Sequence, residues 1–125
     1  MKQVQQMNRV QFNEAEALLR LGGDESLLSE LVGLFIYDFN IRFKELTRAI
    51  LTRDFETIRF QGHGVKGAAR NLSLTGIAEA ARRIEAAGEA TDIGRARSAL
   101  EELKAQYHLF TDVYYRERAG LKMID

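Results

Sequence analysis

The stretch GHGVKG, residues 62–67, sets His63 between two glycines and places Lys66 three residues further on. It fits G-x-G-x-x-G, the pattern of loops that hold a dinucleotide's pyrophosphate. Such a loop works only where the glycines turn a buried strand into a helix, so that helix amides meet the phosphates. Here the preceding residues, DFETIRFQ, carry helical periodicity, and no second strand–helix–strand unit follows. Glu85 falls near the distance of a ribose-binding acid, which shows how cheaply the pattern is matched. The nucleotide reading therefore fails, and the histidine is left as the group that does chemistry.

Three glycines within GHGVKG weaken a helix, each costing on the order of 1 kcal/mol against alanine. His63 supplies the reason to keep them. Helical side chains lean toward the amino terminus, so residue i+4 overhangs residue i. For His63 that residue is Gly67, which casts no shadow, while Gly62 and Gly64 thin the surface beside the ring. At about 100° per residue, Arg59, Lys66 and Arg70 fall about 40°, 60° and 20° from His63, all on one side. The apolar stripe is centred roughly 125–165° away, so His63 is expected to stand exposed in a row of cations. Such a row stabilises an anion attached to the ring and favours the neutral, nucleophilic imidazole. A phosphoryl group meets both requirements. Phe60, about 60° from His63 on the side opposite the cations, reads equally as an exposed docking residue or as a residue that covers the bundle edge or packs under the first helix.

Helices must position these groups. Asn13 can cap a short helix, EAEALLRL, that stops at Gly22 and Gly23. Asp24 can cap the next, because a carboxylate there satisfies free amides and suits the positive end of the helix dipole. From Glu25 to about Thr52 apolar residues recur at Leu27, Leu28, Leu31, Leu34, Phe35, Phe39, Phe43, Leu46 and Ile50, a long amphipathic helix that can bend near Asn40. Asp54 starts a third, with Phe55, Ile58, Gly62, Val65, Ala69 and Leu72 on one stripe. A fourth carries Ile77, Ala80, Ala81, Ile84 and Ala87 and is ended by Gly88. Thr91 or Asp92 opens the last, with its tyrosines and phenylalanines in the core. Four long stripes with short connections predict an all-α fold, an antiparallel up-and-down four-helix bundle with a short additional N-terminal helix. The bundle domain is expected over 12–119, between a polar tail at 1–11 and a C-terminal tail at 120–125.

Composition excludes other classes. A chain of 125 residues is one domain's worth, able to bury roughly two-thirds of its unfolded surface. The formal net charge is zero, so no global field recruits nucleic acid or an acidic membrane. Cysteine is absent, which removes disulfides and thiolate metal sites. MKQVQQMNRV lacks the apolar core of a signal peptide, and the longest apolar run, Leu31 to Tyr37, is too short to span a bilayer. The expectation is a cytoplasmic, monomeric domain with neither nucleic-acid nor membrane partners. It shows neither a nucleotide loop nor an acid–base pair in a cleft, so it is not read as an enzyme.

From about Gly22 to Phe110 the sequence resembles the histidine-containing phosphotransfer (HPt) domain of multistep two-component phosphorelays. The residues that carry the resemblance are His63-Gly-Val-Lys66-Gly67-Ala68-Ala69, then Ile84-Glu85, with GGDESLLSELVGLF leading into the second helix. The resemblance implies that His63 is phosphorylated on Nε2. Lys66 would neutralise the phosphate, and Gly67 would leave room for a partner. Glu85 would accept a hydrogen bond from Nδ1–H and so fix the tautomer that exposes Nε2. Partners would be response-regulator receiver domains and a sensor or hybrid histidine kinase, with phosphate taken from one receiver's aspartyl phosphate and passed to another. Magnesium would belong to the receiver, so no cofactor of the chain's own is implied.

Three positions depart from the family pattern: Arg70 where a small residue is common, Ser73 where a glycine is common, and Gln61 where an apolar residue is frequent. Arg70 could add a phosphate ligand or crowd docking. Glu85 could instead be a surface acid paired with Arg82 or another cation. His108, on a polar stripe with Glu101, Lys104 and Asp112, reads as a solvated surface histidine. The alternative for the whole chain is a helical adaptor that binds a receiver or kinase without phosphorylation.

Overall fold

The computed structural model describes residues 11–120, and among them it holds five helices and no strand. They are α1 (Glu14–Arg20), α2 (Glu25–Thr52), α3 (Phe55–Asn71), α4 (Thr75–Glu89) and α5 (Ile93–Arg118). Most of the expected tails at 1–11 and 120–125 lie outside the described residues.

Four helices start where an Asn or Asp side chain takes up a free amide. Asn13 accepts from the Glu16 amide at 3.1 Å, Asp24 from Leu27 at 3.0 Å, Asp54 from Thr57 at 3.1 Å and Asp92 from Arg95 at 3.0 Å. Each satisfies an amide that the helix itself cannot. Ahead of α4 the capping position is Leu74, whose side chain makes no such bond. The helix's Gly76 amide donates instead to the Gln11 carbonyl at 3.2 Å, so the chain ahead of α1 serves as the cap. α2 runs unbroken through Asn40, whose amide donates to the Ile36 carbonyl at 2.9 Å and the Tyr107 hydroxyl at 3.3 Å.

Contacts link each long helix to the next, and α5 closes back on α2. The core is the expected one in most positions, with Leu28, Leu46, Ile58, Val65, Ile77, Ile84, Leu103 and Phe110 all fully buried. Phe39 of α2 stacks flat on Tyr107 of α5 with ring centroids 3.9 Å apart. Two expected core residues are outside it. Leu34 is 61% exposed and Tyr115 48%. Leu34 shares an outward face of α2 with Tyr37 and Ile41, which are also exposed, because steps of three and seven residues return to nearly the same side of a helix.

α3 and α4 approach main chain to main chain at two glycines. A Cβ at Gly62 would come within 2.8 Å of the Glu85 nitrogen, and one at Gly88 within 2.6 Å of the Arg59 nitrogen. Gly62 therefore sets the spacing of two helices and does not thin the surface beside His63. Gly88 lies inside the last turn of α4, not beyond its end.

The short α1 is latched to the end of α3. Arg20 donates to the carbonyls of Arg70 at 3.3 Å and Asn71 at 2.7 Å and to the Ser73 hydroxyl at 2.8 Å. A cation there also suits the negative end of the α3 dipole. Ser73 is buried with φ +57°, a conformation in which a Cβ is strained and glycine is not. Its hydroxyl donates to Glu16 at 2.5 Å, so the departure from glycine goes with a specific set of bonds. No described helix is long and apolar enough to cross a membrane.

Candidate functional site

His63 lies in the middle of α3, and its side chain is 65% exposed. Its Nδ1 stands 2.9 Å from Oε2 of Glu85 on α4. The other oxygen of the same carboxylate accepts from the Lys66 ammonium at 2.6 Å. Both partners are largely covered, with Lys66 at 16% and Glu85 at 15% side-chain exposure. The Gly62 contact brings α4 close enough for this bridge, and the i+3 step from His63 to Lys66 puts both on the side that faces α4.

Hydrogen bonding from Lys66, and then from His63, holds the Glu85 carboxyl below its ordinary value of 4.5 against the opposing effect of partial burial. An ionised carboxylate only accepts hydrogen bonds, so the proton of the neutral imidazole is assigned to Nδ1 and the lone pair to Nε2. Glu85 pairs with His63 and Lys66, while Arg82 pairs with Glu79. Of the cations that the surface-acid reading allowed, Glu85 thus takes Lys66 and not Arg82, and the same carboxylate also meets His63.

The three cations differ in their partners. Lys66 is tied to Glu85, whereas the side chains of Arg59 and Arg70 make no hydrogen bond or ion pair among the described residues. The Arg59 backbone abuts Gly88. Arg70 is exposed and stands seven residues past His63, about 10 Å along the axis. Phe60 is 60% exposed, so most of its ring faces outward.

The glycines have different surroundings. A Cβ at Gly67 would meet nothing within 4 Å, so that side is open. At Gly64 the space is filled by the guanidinium of Arg42. The expected clearing is thus half open, because α2 reaches over one side of it. Arg42 donates to Asp38 at 2.8 Å and to Gln61 at 2.9 Å, which accounts for a polar residue at position 61. Sequence reading missed Arg42. The Asp38/Arg42 spacing of four residues signals an intrahelical pair, but not the α3 residue that the pair lies against.

Residues 30–110 match the family model described as Hpt domain. The chain belongs to that family, whose members carry phosphoryl groups in two-component signalling. The crystal structure of histidine-containing phosphotransfer protein B (HptB) from Pseudomonas aeruginosa PAO1 superposes with a TM-score of 0.80 at 18% identity, covering 90% of this chain and 97% of that one. At that identity the likeness speaks for the fold. No curated protein matches the chain.

Proposed function

We propose that this domain, over 12–119 and as an antiparallel up-and-down four-helix bundle, is a cytoplasmic phosphorelay carrier that takes a phosphoryl group onto His63 from one receiver domain and yields it to another. The observation that carries this reading is an imidazole held by Glu85 through Nδ1 while its ring remains 65% exposed. In the first half-reaction the Nε2 lone pair attacks the phosphorus of the receiver's aspartyl phosphate. The N–P bond forms as the P–O bond to the aspartate breaks, and the electron pair leaves with that carboxylate. The ring keeps its Nδ1 proton and gains positive charge, which Glu85 stabilises from 2.9 Å. The second half-reaction is the reverse, onto the aspartate of another receiver.

Lys66 supplies a positive charge beside the phosphoryl group and, through Glu85, fixes the ring's orienting partner. Gly67 leaves the approach open, and Arg59 and Arg70, on the same side of the helix, are cations without an ion pair among the described residues. Phe60, with Leu34, Tyr37 and Ile41 of α2, offers exposed apolar surface of the kind that docking partners desolvate.

The test is direct phosphorylation. A charged receiver should label this protein, the label should be acid-labile, and His63→Gln should abolish it. Label that survives in His63→Gln would remove the histidine from the chemistry and favour the adaptor reading.

A further inference from the structure

Arg42 stands on the flank of His63 opposite Glu85. Gly64 and Gly62 lie about 100° to either side of His63 on α3. Gly62 faces Glu85 and α4, whereas Gly64 lies under the Arg42 guanidinium that reaches over from α2. With Nδ1 facing Glu85, the other ring nitrogen is turned away from α4.

The two flanks differ in what they have left to give. Lys66 is paired with Glu85 at 2.6 Å and Arg42 with Asp38 at 2.8 Å. Charges therefore largely cancel on both flanks in the unmodified protein, and the difference lies in the donors left over. A phosphoryl group adds about −1.5 to −2 charges near neutral pH. A guanidinium carries five N–H donors in a planar fork suited to phosphate oxygens. Arg42 commits one to Asp38 and one to Gln61, which leaves three. Its side chain is 28% exposed and already held at two points, so ordering it around an anion costs less than ordering a free arginine.

Building on the phosphocarrier reading, we propose that Arg42 is a second cationic ligand of the phosphoryl group on His63, held over Gly64 by Asp38 and Gln61 until that group arrives. The phosphoryl group is then gripped between Arg42 on the α2 flank and Lys66 on the α4 flank. Gly64 is required because any side chain there would displace the guanidinium.

Phosphoramidate tests this without a receiver. Nε2 takes the PO₃ unit as the P–N bond to the leaving ammonia breaks, and the phosphoprotein is then freed of reagent. The wild-type Arg42 Nε–H resonance should shift on phosphorylation, and it should stay in place in His63→Gln given the same treatment. Arg42→Gln should shorten the phosphohistidine half-life at neutral pH on the order of tenfold, the scale of one charge-assisted hydrogen bond. Arg42→Lys should restore part of it. Gly64→Ala keeps the charge but pushes the guanidinium aside, and it should shorten the half-life in the same direction. An unmoved Arg42 resonance, with an unchanged half-life in a natively folded Arg42→Gln, would overturn the proposal. Failure of every receiver to charge His63 would count against the relay reading and leave this result standing.

Discussion

A Cβ built on Gly62 would lie 2.8 Å from the backbone nitrogen of Glu85. The helix that carries the imidazole and the helix that carries its orienting carboxylate therefore meet without an intervening side chain. The glycines on α3 have three separate purposes. Gly62 sets the α3–α4 spacing, Gly64 makes room for Arg42, and Gly67 leaves open surface.

Alanine substitutions should separate these purposes. Gly62→Ala forces a methyl group against main chain and should destabilise the fold by about 1–3 kcal/mol, the usual cost of overpacking. Gly67→Ala meets no neighbour and should stabilise the helix by roughly 1 kcal/mol. It should nevertheless slow phosphoryl transfer from a receiver, because the added methyl group stands where the partner approaches. Urea unfolding and transfer kinetics on the two variants check both halves. A Gly67→Ala protein that transfers at the wild-type rate would show that this surface is not approached.

The shared carboxylate predicts a pH dependence. Because Lys66 and His63 depress the Glu85 carboxyl in the folded protein, its contribution is present above its ordinary value of 4.5 and is lost as pH falls through the depressed value. Glu85→Gln should remove that component, flattening the acid limb of stability against pH relative to wild type. In phosphorylation assays the same variant should be slowed on the order of tenfold, since the ring loses a charge-assisted partner. Parallel acid limbs in the two proteins would contradict the assignment.

Ser73 offers a ranking test at the α1 latch. Ser73→Ala keeps a Cβ in the left-handed region and loses the bonds to Glu16 and Arg20, so it should cost about 1–3 kcal/mol. Ser73→Gly loses the same bonds but relieves about 1 kcal/mol of backbone strain. Glycine should therefore be the milder change in a denaturation series.

Much of this was legible in the sequence, and what was not has physical causes. The helices followed from apolar periodicity and from Asn13, Asp24, Asp54 and the Thr91-Asp92 pair at their starts, of which Asp92 is the cap, because caps and stripes are local signals. α4 has no local cap, since its Gly76 amide is satisfied by Gln11, far away in the chain. Leu34 fits the α2 stripe on spacing alone, and only the placement of neighbouring helices decides that it faces outward. His63, Lys66 and Glu85 were readable together because their spacing follows a family pattern. Arg42 was not, because its proximity to Gly64 depends on the register of α2 against α3, which no local pattern encodes.

In the proposed reaction Glu85 holds Nδ1 so that Nε2 takes the phosphoryl group. Charging the ¹⁵N-histidine protein from a phosphorylated receiver and recording ³¹P–¹⁵N couplings tests it most directly. One phosphohistidine is expected, at His63, with phosphorus on Nε2 and a proton on Nδ1. Phosphorus on Nδ1, or on any residue other than His63, would contradict it.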